Sequence, residues 1–395
     1  MLAPLPVKDV QRKLTAAADD QVAKVLALVD AMPARGVADA LIAPLRPRLA
    51  AIAPARPMTA TRLLFRPLDH VVVAGVRWRP SMPAVPRTAL QTLGSAVLAR
   101  MGPVLALVQA MIAGHDGREQ AVARQAGALL WPAGAAALLA LPMPPDWTDA
   151  TGLAEACYPA LRDSIAVVLR HGTAIGRLTL GSADAVPVVR AILGTTAAEF
   201  PGALGTMLSV LLADAATAGP ALAVAVTMPG PAVDGAVDQA LDRALNVFTG
   251  VLPVIGLHAA SVQAAHAAAL LEALDSPQAR PQLRSETLRL RQSADSACRD
   301  RLMQALDVDF LPRLASAGTN GSDAEILGLE TAARGVRRLS MVGRRFGSGP
   351  IYDRILGHAA NGTCAAANSV LTRMERLRVA ELLVGVDAAL RLLPA

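Results

Sequence analysis

The chain has 395 residues, a net charge of +6, a hydrophobic fraction of 53% and only ten aromatic side chains. That length exceeds the roughly 250–300 residues at which one hydrophobic core stops growing, so a sizeable core arranged as two lobes or as an elongated array is expected. Cys157, Cys298 and Cys364 are odd in number and far apart, which excludes a disulfide framework and fits reduced core thiols.

Other classes fall on pattern. A spanning helix needs about 18 or more uninterrupted apolar residues. The best stretch, residues 247–271, is broken by Pro253, His258, Ser261, Gln263 and His266, and reads as buried Ala-rich helices. Met1-Leu2-Ala3-Pro4-Leu5-Pro6 leads straight into a charged helix rather than an apolar signal run, so a cytoplasmic location is expected. Lysine occurs only at Lys8, Lys13 and Lys24, every other basic residue being arginine, which reads as codon bias in a GC-rich bacterial genome.

In chain order, Asp19-Asp20 opens a helix whose apolar stripe runs through Val22, Val25, Leu26, Val29 and Met32, and a short helix over 37–45 follows. Residues 44–100 are rich in proline and arginine. A helix over 58–65 precedes the β-branched Val71, Val72 and Val73, the best extended segment in the chain, and Thr88 is placed to cap a helix running to Met101. Gly102-Pro103 opens the next helix; Asp116 with Glu119 has the spacing of a capping box, and Pro132 is read as the start of another helix. Pro142, Pro144 and Pro145 cannot continue a helix, so a lobe boundary is placed there, giving residues 1–142 and 146–395.

Beyond it, residues 151–170 read as a long helix, 172–181 as a Gly-rich loop, and 182–193 and 200–213 as further helices. Residues 234–251 and 254–274 form a pair split at Pro253. A long charged helix covers 282–306, Ser322 caps a helix to Phe346, and helices over 352–360, 364–384 and the C-terminal residues close the chain. The fold class is therefore all-α and multi-helical, an irregular solenoid-like or two-lobed array with one short extended segment. No fixed repeat signature recurs.

Few constellations point to chemistry. His258 and His266 are eight residues apart, farther than the three or four that let two rings reach one ion. Asp234, Asp238 and Asp242 share one helical stripe and read as an acidic face, although such carboxylates can also hold a cation. Gly343-Arg344-Arg345-Phe346-Gly347-Ser348-Gly349-Pro350 has glycines and arginines suited to a phosphate, but follows a helix and lacks a Gly-Lys-Ser/Thr ending. Nucleophile elbows, His-Glu-x-x-His and Cys-x-x-Cys pairs are absent, so no catalytic residue, metal or cofactor is assigned.

One charge anomaly remains. Residues 46–100 carry nine arginines against Asp69 alone, a local charge of +8, leaving −2 for the rest of the chain. With Phe65 and Trp78 interleaved, Arg62, Arg66, Arg77 and Arg79 are candidate polyanion-binding residues. The competing reading pairs the same arginines with carboxylates of other helices. No strongly amphipathic basic helix suggests a membrane surface. A cytoplasmic helical scaffold or protein-interaction module is the first expectation, its partner another protein. Nucleic-acid or polyanion binding through Arg46 to Arg100 and an enzyme without recognisable motif are the alternatives, and the oligomeric state is open.

Overall fold

Alanine and leucine at three- and four-residue spacing turn nearly all of the chain into helix, and the fold is all-α with a single two-stranded pairing among the described residues. The computed structural model describes residues 7–17, 19–30, 41–42, 45–52, 54–73, 78–79, 82–181, 185–275, 281–365 and 370–392. Most of the short helix expected over 37–45 lies outside them. Two compact units divide the chain between Ala244 and Leu245.

The first unit begins with α1 (Val7–Ala16), α2 (Asp19–Asp30) and α3 (Arg46–Ile52). Val22, Leu26, Val29, Ile42, Leu45 and Leu49 form their small core. The Arg48 guanidinium closes it, donating at 2.6 Å to the Ala17 carbonyl and pairing with Asp19 at 2.6 Å. Thr59 then caps α4 (Ala60–Phe65) by accepting from the Arg62 amide, and Pro67 turns the chain into a 3-10 turn over Arg66–Val71. β1 (Val72–Val73) runs parallel to β2 (Val85–Pro86), so the extended segment finds its partner only thirteen residues downstream. Pro86 precedes α5 (Arg87–Ala99) directly, and the Thr88 hydroxyl donates to the Thr151 carbonyl instead of capping.

α6 (Gly102–Ile112), α7 (Gln120–Leu139), α8 (Trp147–Thr151) and α9 (Tyr158–Leu178) follow, with α7 and α9 packed lengthwise. Two sequence expectations change here. Pro132 lies inside α7 on its exposed face, where the carbonyl that loses its donor belongs to solvent-facing Ala128. Gly172 lies inside α9, not in a loop: a Cβ there would stand 2.9 Å from the Trp131 ring, so glycine permits the α7–α9 approach. Trp131 crosses this contact and donates from Nε1 to the Leu63 carbonyl at 2.8 Å, tying α4 to the pair.

The prolines at 142–145 link α7 to α8 within this unit. Tyr158 donates its hydroxyl to the Leu141 carbonyl at 2.7 Å and meets Trp147 edge-on at 5.1 Å, which fixes the turn. α10 (Ala185–Glu199), α11 (Leu204–Leu212), α12 (Ala215–Ala225) and α13 (Pro231–Val251) complete the unit, the last crossing the division.

In the second unit come α14 (Leu257–Leu274), α15 (Pro281–Gln304), α16 (Leu311–Asn320), α17 (Asp323–Gly343), α18 (Gly349–Ala365), α19 (Arg373–Val384) and α20 (Val386–Leu390). A π-turn over Ala305–Phe310 joins α15 to α16 without a break. Ser322 caps α17, and Thr372 with Glu375 forms a full capping box on α19. Buried Glu330 accepts from Arg334 and Arg378, each at 2.6 Å, joining α17 to α19.

Candidate anion-binding surface

Arg62 lies in α4 and Arg66 is the cap residue just after it, so the two stand about one turn apart. Arg62 donates from Nη1 to the Pro57 carbonyl at 2.7 Å, which folds it along the strand-like segment ahead of the helix. Arg66 reaches across to α7 and donates from Nη2 to Gln120 Oε1 at 2.5 Å. Arg124 follows one turn after Gln120 on the same face, its stem lying against Gly176 of α9. Arg66, Gln120 and Arg124 therefore converge from two helices.

The electrostatics agree with that geometry. Burial pushes the Arg66 guanidinium down from its ordinary value, with Asp69 opposing the shift and Arg124 adding to it. Arg124 is half-buried, and among the described residues no carboxylate pairs with it. Asp69 is the acid at the centre: desolvation pushes its carboxyl up to about 6, against the pull of Arg66, Arg87 and Arg56. The residue keeps solvent access, and three guanidiniums surround it, so at neutral pH it is ionised. Arg243 of α13 closes the other side of this turn, donating to the His70 carbonyl at 3.2 Å.

The nearby carboxylates serve their own turn. Asp116 accepts from the Arg118 amide at 2.7 Å, while Glu119 accepts from the Asp116 amide at 3.0 Å and bonds the His115 ring at 2.7 Å. Those bonds, the Asp116 amide first, hold the Glu119 carboxyl below its usual range. Asp116 and Glu119 thus close the α6–α7 connection instead of capping α7, whose N-cap is Glu119 without a side-chain bond. Beside it a groove of about 630 Å³ runs between residues 55–60 and 109–116. Its wall is pinned by the Pro57–Asp116 bridge, and Arg56, Thr59, Gln109, His115 and Asp116 are its polar lining.

Of the four residues singled out in the sequence, Arg66 reaches Gln120 on α7, while Arg62 turns back to the Pro57 carbonyl. Arg79 is exposed on the turn after buried Trp78, and no hydrogen bond or ion pair among the described residues connects it to them. Arg77 lies outside the described residues. Arg48 follows the competing reading, paired with Asp19. Arg124, Gln120 and Arg243 lie outside the proline-rich segment, where no local charge density marks them. One signal was available for Arg124: it is the sole charge in the twenty residues of α7.

The remaining sequence candidates resolve differently. Arg344 pairs with Asp353, and Arg345 makes a two-pronged bond to Glu272 at 2.8 and 2.6 Å, so the Gly343–Pro350 stretch has its cations neutralised. Gly343 is required by the Tyr352 ring, 2.5 Å from where a Cβ would stand. Asp234, Asp238 and Asp242 are each engaged, and no group of three or more metal-ligating side chains exists among the described residues. A buried polar cluster joins α15 to α18: Asp295 accepts from Ser348 at 2.7 Å and from Tyr352 at 3.2 Å, and pairs with Arg299 at 3.1 Å. Burial pushes the neighbouring Cys298 thiol up to about 12, which makes it a poor nucleophile. No protein-family model, curated protein or solved structure matches this chain.

Proposed function

We propose that this chain is a cytoplasmic binding module that holds a phosphate-bearing polyanion on the arginine surface of its first unit. The apposition of Arg66 and Arg124 across Gln120 carries the reading. Two half-buried like charges raise the free energy of the empty protein and lower it once an anion sits between them. The guanidinium fork matches phosphate oxygens, and Arg62 and Arg56 extend the surface along the chain. Scarcity of aromatic side chains directs binding to the phosphate backbone, not to stacked bases.

The test is an anisotropy titration of a fluorescein-labelled DNA duplex, used as a phosphate array, across a salt series. Each arginine that neutralises a phosphate contributes about 0.9 to the slope of log affinity against log salt. Arg66→Gln with Arg124→Gln is expected to flatten that slope by nearly twice as much, and Arg79→Gln to leave it unchanged. Equal affinity and slope for the double variant and the parent sink the proposal.

A second reading, protein interaction through the second unit, is favoured by the exposure of Leu327 at 61% and Met374 at 72%. Its test is a photo-crosslinker at Met374. One defined partner, lost on Leu327→Glu, supports it; indiscriminate or absent cross-links refute it.

A further inference from the structure

Helix α6 reads Gly-Pro-Val-Leu-Ala-Leu-Val-Gln-Ala-Met-Ile without a charge, yet buries only Val108 and Ile112. Pro103, Ala106, Leu107 and Ala110 are open to solvent, Leu107 at 54%. Its neighbour α7 does the same. Beyond Arg124 it has no charge, and Ala128, Leu129, Pro132 and Ala136 are exposed at three-to-four spacing. Single exposed apolar residues are ordinary, but two packed helices each turning a charge-free apolar face outward mark a docking surface.

Charge identifies the occupant. The connection between α6 and α7 carries Arg118 beside Asp116 and Glu119, whose carboxylates are engaged within that turn; Arg66 and Arg124 stand at the start of α7 about Gln120, and the C-terminal end of α6 shares its groove with Arg56. An apolar face bordered by guanidiniums complements a layer whose interior is hydrocarbon and whose boundary carries phosphate. Long arginine side chains suit that boundary, because their stems lie on apolar surface while the charge reaches the headgroups. No single helix is long and apolar enough to cross a membrane. α5 and α6 together have the composition, but they meet at a 108° bend and α5 buries Leu90, Leu93 and Val97 in the core. That leaves α6 to lie on a surface.

We infer that the exposed face of α6 and α7 docks on an anionic lipid bilayer, with the arginine surface taking lipid phosphates. This inference rests on the proposed anion binding and names the source of the phosphate. The basic and apolar parts come from different helices, which is why no one segment has the pattern of a membrane-surface helix.

Co-sedimentation of the full chain with phosphatidylcholine vesicles, with and without phosphatidylglycerol, tests it alongside the duplex titration. Binding is expected only with phosphatidylglycerol present. Leu107→Glu with Leu129→Glu, both at exposed sites and checked by circular dichroism, should weaken vesicle binding about tenfold or more and leave duplex binding intact. Arg66→Gln with Arg124→Gln should weaken vesicle binding about thirtyfold and reduce duplex binding too. Duplex binding without vesicle binding overturns the bilayer inference alone, and points to a nucleic acid or an acidic protein. Vesicle binding indifferent to the leucine changes is electrostatic adsorption and overturns it as well. Loss of both activities in the parent protein removes the anion reading itself.

Discussion

Gly172→Ala isolates the contact that fixes α4 and its arginines against α7. The new Cβ would lie 2.9 Å from Cδ2, 3.0 Å from Cε3 and 3.1 Å from Cγ of Trp131. Carbon atoms prefer about 3.5–4.0 Å, so something must move by roughly half an ångström. Trp131 has little room: it is 4% exposed, its Nε1 is bonded to the Leu63 carbonyl at 2.8 Å, and Gly127 already makes space for the ring on its other side. Overpacking of this kind costs about 1–3 kcal/mol, whereas alanine in a helix interior regains about 1 kcal/mol over glycine. With the ring held at both ends the cost falls in the upper part of that range, about 2–3 kcal/mol, and a net destabilisation of about 1–2 kcal/mol is expected. That corresponds to a fall of about 2–8 °C in the melting of the first unit, followed by tryptophan fluorescence and far-ultraviolet circular dichroism. Gly194→Ala in α10 is the control, because nothing lies within 4 Å of its Cβ position. It should gain up to about 1 kcal/mol. If the two variants melt alike, the close approach does not limit packing and the argument fails.

Three further outcomes are expected. Asp69 binds its proton more tightly folded than unfolded, so the stability it confers falls as pH rises from the ordinary 3.8 through about 6. Neutralising it also raises the positive charge of the surface: duplex binding should strengthen as pH drops through 6, and Asp69→Asn should bind more tightly at pH 7 and lose that component of the pH dependence. Titration curves that superimpose for parent and variant would refute the placement of Asp69 among the arginines. Cys298 is fully buried, whereas Cys157 and Cys364 are partly exposed. Iodoacetamide followed by peptide mass spectrometry should modify Cys157 first, Cys364 more slowly because burial raises its thiol, and Cys298 only on unfolding. Thr372→Ala removes the hydroxyl that accepts from the Glu375 amide at 3.2 Å and should cost the second unit about 1 kcal/mol in denaturant melts, with Thr372→Ser retaining most of it.

Helix content was legible because its cause is local. Ser322 caps α17 and Asp19-Asp20 opens α2, where sequence placed them. Glycine and proline misled where neighbours decide their role. Gly172 reads as a loop residue until Trp131 arrives from another helix to fill the space of its absent Cβ. Pro132 reads as a helix start, yet its lost hydrogen bond falls on the solvent side of α7, where water can replace it. The valines at 71–73 are extended in part, but their partner, Val85, could not be paired with them by local pattern. For the candidate site, local charge density is what singles out Arg62 and Arg66 in the sequence. It could not find Arg124, which reaches them through the fold.

By itself the sequence determined that this chain is helical, that its cysteines form no disulfide framework, and that its excess positive charge lies in residues 46–100. Periodicity, caps and charge counts are properties of short windows, and short windows suffice for them. Tertiary structure decided which arginines share a surface. Arg48 is drawn into a pair with Asp19, while Arg66 is carried by α4 to Gln120 and Arg124 on α7. It also decided that α6, apolar enough for a core, stays largely outside one. Such outcomes depend on which helix faces pack together, and that is set by side-chain volumes meeting across distant parts of the chain.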